Sequence, residues 1–191
     1  MKIYLLRHAH RGHGEKQDTL TEIGKGQLRR TTEFFKKVRL NKIICGNKNR
    51  AKETLRPILK NQKCKVEYTS EVNERELGVF EGKSSKDWKE AVENSGLSEE
   101  EFKPENGENR NDAYNRAKRF YNKLRKEKVK NLLIVSHAGF ISDLITLLLN
   151  LPEHENVHFK TGFCAISYFE MDKNFKVKDC YIGELKHLAY F

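Results

Sequence analysis

Two apolar runs in this chain end on histidine. The run at Lys2–Leu6 (KIYLL) delivers Arg7 and His8 together, and a second run, Asn131–Ser136 (NLLIVS), delivers His137 followed by Ala138-Gly139. Imidazole is a competent nucleophile near neutral pH. Arginine matches phosphate oxygens with a rigid fork of donors. A histidine flanked by guanidinium is therefore suited to a phosphoryl group. Arg50 and Glu74 extend the set. Arg50 opens a helix directly after a strand and loop, where backbone N–H groups and the helix dipole also favour an anion. Glu74 lies in VNERELGVFEG, a loop-like stretch with Gly78 and Gly82. A carboxyl group inside a phosphate site could stay protonated and act as general acid. Each residue alone has an ordinary alternative: a structural or solvent-exposed histidine at a strand end, a surface arginine, a surface glutamate paired with Arg75. Their combination points to phosphoryl chemistry.

These residues are far apart in sequence, so the fold must bring them together. In an α/β sheet, ligands sit outside the carboxyl ends of the strands. Lys2–Leu6, Lys42–Cys45, Lys65–Tyr68, Asn131–Ser136, Phe163–Phe169 and Val177–Ile182 read as strands. Between them, Thr21 caps a helix running to about Val38, with Ile23, Leu28, Phe34 and Phe35 as candidates for its buried side. Further helices are expected at Arg50–Leu59, where Pro57 would bend or shorten the element, and from a cap at Ser84 or Ser85 to about Glu93. Two more are expected from about Asp112 to Lys128 and over Phe140–Leu149. Strands alternating with helices imply an α/β three-layer sandwich, a mostly parallel central sheet with helices on both faces. The expected organisation is a single domain over residues 1–191, with a helical insertion at about 83–111.

Composition narrows the partners. The net charge of +10 would suit nucleic acid, but the lysines are spread along the chain, and no RNA- or DNA-binding motif accompanies them. The charge is read as a solvated basic surface that would also steer small anionic phosphate esters. No apolar run approaches the roughly 18–20 residues of a membrane span, so no membrane association is expected. Cys45, Cys64, Cys164 and Cys180 show no C-x-x-C spacing, and no signal-peptide pattern opens the chain. A cytoplasmic protein with reduced thiols is the expectation. No clustered carboxylate–histidine metal motif is present, and neither a metal nor another cofactor is expected.

Read in order, the motifs resemble those of the histidine phosphatase superfamily, the phosphoglycerate mutase-like family. Its R-H-G opening stands here as Arg7-His8-Ala9, and its L-T-x-x-G-x-x-Q stretch as Leu20 to Gln27, with Gly24 at the glycine. R-A-x-x-T appears as Arg50-Ala51-Lys52-Glu53-Thr54, and the acidic loop as Asn73-Glu74-Arg75 with Gly78 and Glu81-Gly82. Gly107-Glu108 matches a G-E stretch before the long helix, and S-H-G-G becomes Ser136-His137-Ala138-Gly139. These matches cover Lys2 to about Phe169.

The resemblance implies phosphoryl transfer from a small phosphorylated metabolite, and the compact chain with its short loop before Leu20-Thr21 would let water reach the intermediate, which favours hydrolysis of a phosphate monoester. His8 would attack phosphorus to form a phosphohistidine, while Arg7, Arg50 and His137 would hold the transferring oxygens. Glu74 would protonate the leaving alcohol and later activate water. Phosphoglycerate mutase-type transfer and a noncatalytic module that binds phosphate or nucleic acid are the competing readings. The chain departs from the family at Ala9 and Ala138, where glycine is usual, and at His10-Arg11-Gly12-His13-Gly14, where a phosphate-binding asparagine normally follows. His10, Arg11 or His13 could take over that contact.

Overall fold

Strands buried on both faces read as continuous apolar runs, and this chain sets three of them in parallel with a fourth, half-exposed strand at the sheet edge. The computed structural model describes residues 1–12, 18–152 and 158–189. The first half runs β1 (Lys2–Arg7), α1 (Glu22–Lys36), β2 (Lys42–Gly46), α2 (Asn49–Leu59) and β3 (Lys65–Thr69), followed by short 3-10 turns at Ser70–Val72 and Gly78–Phe80. The second half runs α3 (Ser85–Ser95), α4 (Arg110–Leu124), β4 (Asn131–Ser136), α5 (Ala138–Leu148), β5 (Ile166–Met171), β6 (Val177–Glu184) and α6 (Lys186–Ala189). The sheet order is β3-β2-β4-β1-β5-β6. The first four strands in that order are parallel, and β5 and β6 add an antiparallel edge.

Alternation along the strands sorts the core into two layers. Ile3, Leu5, Leu132 and Ile134 pack with Phe120 of α4 and with Phe140, Ile141 and Leu144 of α5. Leu6, Ile43, Cys45, Leu133 and Val135 face the other way, against Leu28 and Phe35 of α1 and Ala51, Leu55 and Ile58 of α2. The mostly parallel α/β sandwich expected from the sequence is therefore the observed architecture. Among the described residues, no helix is long and apolar enough to cross a membrane.

Several local expectations are corrected. Ile23 is 63% exposed. The buried positions of α1 are Gly24, Leu28, Thr31 and Phe35, a stripe of helical period that leaves Ile23 one residue outside it. β5 begins at Ile166 rather than Phe163, because the chain turns at Cys164 with φ of +57°. α4 starts at Arg110, capped by an Asn109–Asp112 box, and ends at Leu124, short of Lys128. α2 passes through Pro57 and stops two residues later at Leu59.

Candidate active site

The register of β1 against β4 builds the centre of the site. Leu6 pairs with Val135 and Arg7 with Ser136, and the His8 amide donates to the Ser136 carbonyl at 2.9 Å. The two strands therefore end level, and the residue after each is a histidine. The His8 and His137 rings lie 5.0 Å apart, centroid to centroid. β2 flanks β4 on the other side, with Cys45 opposite Val135. Its end at Gly46 leads straight into α2, which carries Arg50. The Arg50 Nε–H donates to His137 Nδ1 at 3.3 Å. A Cβ at Gly46 would stand 3.2 Å from His137 Nε2 and 2.9 Å from Asn73 Oδ1, so the close approach needs glycine. Thr54, one turn after Arg50, receives the Ala9 amide on its hydroxyl at 3.0 Å and donates to the Arg50 carbonyl at 2.6 Å. The R-A-x-x-T motif thus ties the two loops that carry Arg50 and His8.

Hydrogen bonding makes the two histidines unlike. His8 Nδ1 faces the Ala9 carbonyl at 2.9 Å. A carbonyl only accepts, so Nδ1 carries the proton and Nε2 keeps the lone pair. His137 Nδ1 accepts from a guanidinium, which only donates, so its proton lies on Nε2. That Nε2 is buried and has no partner among the described residues. Both rings are buried, His8 at 3% exposure and His137 at 0%. Burial pushes the His8 pKa down to about 3, and Arg50, Arg7 and Arg11 push it in the same direction. Burial, then His8 and Arg50, hold His137 well below the ordinary imidazole range. One neutral ring offers a lone pair and its neighbour an N–H donor.

Glu74 arrives from β3 through Val72 and Asn73. Its Oε2 accepts from the Gly139 amide at 3.0 Å, in the first turn of α5 and two residues past His137. The Glu74 loop is braced from behind by Arg116 of α4. One Arg116 nitrogen donates to the carbonyls of Glu71 at 3.0 Å and Asn73 at 2.9 Å, and the other to that of Glu74 at 3.2 Å. Arg116 also pairs with Glu108 at 2.8 Å. Glu108 accepts from the Glu76 amide, and the Glu108 amide donates to the Glu76 carbonyl at 2.8 Å. Burial works to raise the Glu108 carboxyl, but the Arg116 guanidinium and the Glu76 amide outweigh it and leave it below the usual carboxylate range. The Gly107-Glu108 pair thus braces the loop of Glu74.

Arg7 donates to the Thr161 carbonyl at 2.6 Å, and its charge is felt at both Glu74 and Arg50. All five candidates, Arg7, His8, Arg50, Glu74 and His137, converge at the carboxyl ends of the parallel strands. His10 is tied to the start of α1. Its Nδ1 meets the Thr21 hydroxyl at 2.8 Å, beside the cap of α1, and its amide donates to Gln27 Oε1 at 2.9 Å. A Cβ at Gly24 would stand 2.2 Å from the His10 carbonyl oxygen, which explains the glycine of that motif. Arg11 lies within the field of Arg50, Asp18 and Glu74. His13 lies outside the described residues. Positive φ at described non-glycine residues is confined to Asn106, Asn150, Cys164 and Phe175. Ala9 and Ala138 therefore hold ordinary backbone, where alanine replaces glycine without strain.

Sequence reasoning missed Asp18 and Arg116, and it marked Asn73 only as part of the acidic loop. Asp18 pairs with Arg50 at 2.7 Å, and the Asn73 Oδ1 accepts from the Asn47 amide at 2.9 Å. No local pattern marks these contacts, although an Asp two residues before Leu20-Thr21 was there to be read. Beside Glu74 and Gly139 opens a cavity of about 460 Å³, edged by Arg75, Glu100, Arg110 and Asp143. A larger cavity of about 880 Å³, lined by α1 residues with Pro57 and Leu188, holds none of the five candidates.

Known proteins resemble this chain over most of its length. The family model for the histidine phosphatase superfamily (branch 1) matches residues 3–181. The adenosylcobalamin/alpha-ribazole phosphatase of Salmonella typhimurium is 28% identical over 84% of this chain and 85% of its own length. A broad-specificity phosphatase of Saccharomyces cerevisiae is 25% identical over 99% of this chain and 88% of its own. The crystal structure of the alpha-ribazole phosphatase from Shigella flexneri superposes with a TM-score of 0.81 at 26% identity, covering 95% of this chain and 94% of that one. This chain is a phosphatase and belongs to the histidine phosphatase superfamily.

Proposed function

We propose that His8 is the nucleophile of a metal-independent phosphate-monoester hydrolysis, and that the observation carrying this reading is the opposite protonation of the two histidines. The His8 Nε2 lone pair attacks phosphorus, and the bond from phosphorus to the ester oxygen breaks. Arg7, Arg50 and the unpartnered His137 Nε2–H receive the charge that develops on the phosphoryl oxygens. Their cationic and donor groups supply the stabilisation that a divalent metal supplies elsewhere. Glu74 passes its proton to the departing alcohol. In the second half it takes a proton from water, which attacks the phosphohistidine and releases inorganic phosphate.

The substrate is a small phosphorylated metabolite. The cavity beside Glu74 gives a leaving group of that size room, and the curated relatives are named as phosphatases of alpha-ribazole or of broad specificity. The protein is expected to act as one domain in the cytoplasm. Recovery of a stably folded proteolytic fragment, or fractionation into another compartment, would count against those two statements.

The test is turnover of a chromogenic phosphate ester in excess EDTA, by wild type and His8→Ala. Retained wild-type activity, none in the variant, and an acid-labile, base-stable phosphate label on the quenched wild type are expected. Loss of activity on chelation with recovery on adding a divalent ion would remove metal independence. Near-normal turnover by a folded His8→Ala protein would remove the nucleophile. Inertness until a phosphorylated sugar acid primes the enzyme would favour mutase chemistry.

A further inference from the structure

Arg7 leaves β1 beside the chain that enters β5. Its amide donates to the Ala165 carbonyl at 3.2 Å. Its side chain donates to the Thr161 carbonyl at 2.6 Å, and its Cζ stands 4.0 Å from the centroid of the Phe163 ring. The same ring lies 5.5 Å from His8 and 4.9 Å from His10. Between these contacts the Arg7 Nε is buried and has no partner among the described residues.

Phe163 itself has an unusual placement. It is half-buried and belongs to neither hydrophobic layer of the core. The backbone turns directly after it, at Cys164, with φ of +57°. That conformation is costly for a non-glycine residue, and such residues gather where the surroundings must hold a group in place. The Cys164 amide donates to the His8 carbonyl at 3.3 Å, which locks the turn to the strand end that carries the nucleophile. The aromatic ring lies outside the two core layers and is fixed against a guanidinium by a strained turn. Its electrostatic effect is direct, because a cation over a ring face is attracted by the ring quadrupole, most strongly where water is excluded.

We propose that Phe163 is a positioning residue for Arg7: its ring holds one face of the guanidinium while the Thr161 carbonyl takes one N–H, so that Nε is presented to the phosphoryl group. An arginine side chain has much rotamer freedom to lose when it binds an anion. Prior restraint by the ring and the carbonyl removes that loss from the binding step. The inference rests on the assignment of Arg7 to the phosphoryl group under the proposed function.

A double-mutant cycle tests it, with kcat/KM on 4-nitrophenyl phosphate and the inhibition constant of inorganic phosphate as readouts. F163L removes the ring and keeps apolar bulk. It should lower kcat/KM on the order of 10-fold and weaken phosphate inhibition by a similar factor. F163Y keeps a ring face and should stay within about 2-fold of wild type. R7Q should be impaired more strongly than F163L, and F163L should cost nothing further in the R7Q background. F163M supplies a second ringless variant, compared at equal thermal midpoint. Equal losses from F163L with and without R7Q would place its effect on His8 or on the fold and overturn the proposal. Wild-type kinetics in F163L beside an impaired R7Q would overturn it as well, leaving the role of Arg7 standing. Near-normal kinetics in R7Q would remove the assignment of Arg7 and this inference with it. Failure of both F163L and F163M to fold would show a structural ring and also overturn it.

Discussion

The Glu74 carboxylate rests on the Gly139 amide, with Oε2 3.0 Å from the nitrogen, and a Cβ at 139 would stand 2.3 Å from Oε1. Gly139 has no positive φ to explain it. Glycine is required there by the close approach of the acid, and not by the backbone. The obstructing atom is the far end of a flexible side chain, so Gly139→Ala should displace Glu74 and leave α5 intact. We expect kcat/KM on an alkyl phosphate to fall by about 10²-fold, within the range that general acid catalysis contributes. The thermal midpoint should change little. An alkyl phosphate assay beside a melting curve checks this, and a wild-type rate would disprove it.

Removing the proton from Glu74 should depend on the leaving group. Glu74→Gln keeps the shape and loses the transferable proton. In single-turnover phosphorylation, alkyl phosphates should slow by roughly 10²–10⁴-fold, and nitrophenyl esters much less, because their leaving groups need little protonation. Single turnover is essential, since under the proposed mechanism Glu74 also serves the second half as a base. Equal losses on both substrate types would take the acid role from Glu74 and direct attention to Glu81, Glu108 or a bound water.

His8 should remain neutral through the physiological range. Its pKa is lowered from 6.5 to about 3 by burial and by the arginines around it. Its NMR ring signals should therefore stay flat between pH 8 and pH 5. An inflection in kcat/KM near pH 6 belongs to the second ionisation of the phosphate ester, at about 6. The stability consequence has a definite sign. The unfolded chain takes up a proton on this histidine below about pH 6.5, and the folded chain does not until about pH 3. Stability is thus full above that window and falls through it, by roughly 1 kcal/mol per pH unit for one such histidine. Urea unfolding of wild type and His8→Ala at pH 7.5 and pH 5 measures the difference, and identical pH slopes would contradict it.

The brace behind Glu74 should link stability to activity. Arg116 pairs with Glu108, and their side chains are 12% and 18% exposed. Glu108→Gln leaves that guanidinium without its counter-charge. A loss of about 2 kcal/mol is expected, short of the cost for a fully buried pair. For a chain of this length that corresponds to about 5 °C in the thermal midpoint. Because Arg116 also holds the carbonyls of Asn73 and Glu74, kcat on an alkyl phosphate should fall more than KM rises. The Glu108 carboxyl is held below its ordinary 4.5. Its contribution is therefore present above that value and disappears as pH falls through the folded-state pKa. Calorimetry of wild type and variant at pH 7 and at values stepped down from 4.5 should show the two midpoints converging as pH falls.

Much of this was legible in the chain itself. The apolar runs before His8 and His137 could be read because a strand covered on both faces has no polar position. Two residues at the carboxyl ends of such strands are candidates for one site by topology alone. The caps at Thr21 and Ser84 are local chemistry, fixed by residues three apart, whereas the sequence pattern puts the start of α4 at about Asp112, three residues past its Asn109 cap. The order of motifs around Arg7, Arg50, Glu74 and His137 is enough to mark the family.

Only the tertiary structure decided which residues serve those five. The β1–β4 register determined that the two histidines end level. The partners of their ring nitrogens, one a carbonyl and one a guanidinium, determined which ring offers a lone pair and which an N–H. Arg116, Asp18, Thr161 and Phe163 act across long sequence separations: Arg7 meets a carbonyl 154 positions away, and Arg116 holds carbonyls 42 to 45 positions away. Periodicity and capping report what a residue does within its own turn or strand. Such distant contacts depend on how separate elements pack, and no local pattern records them.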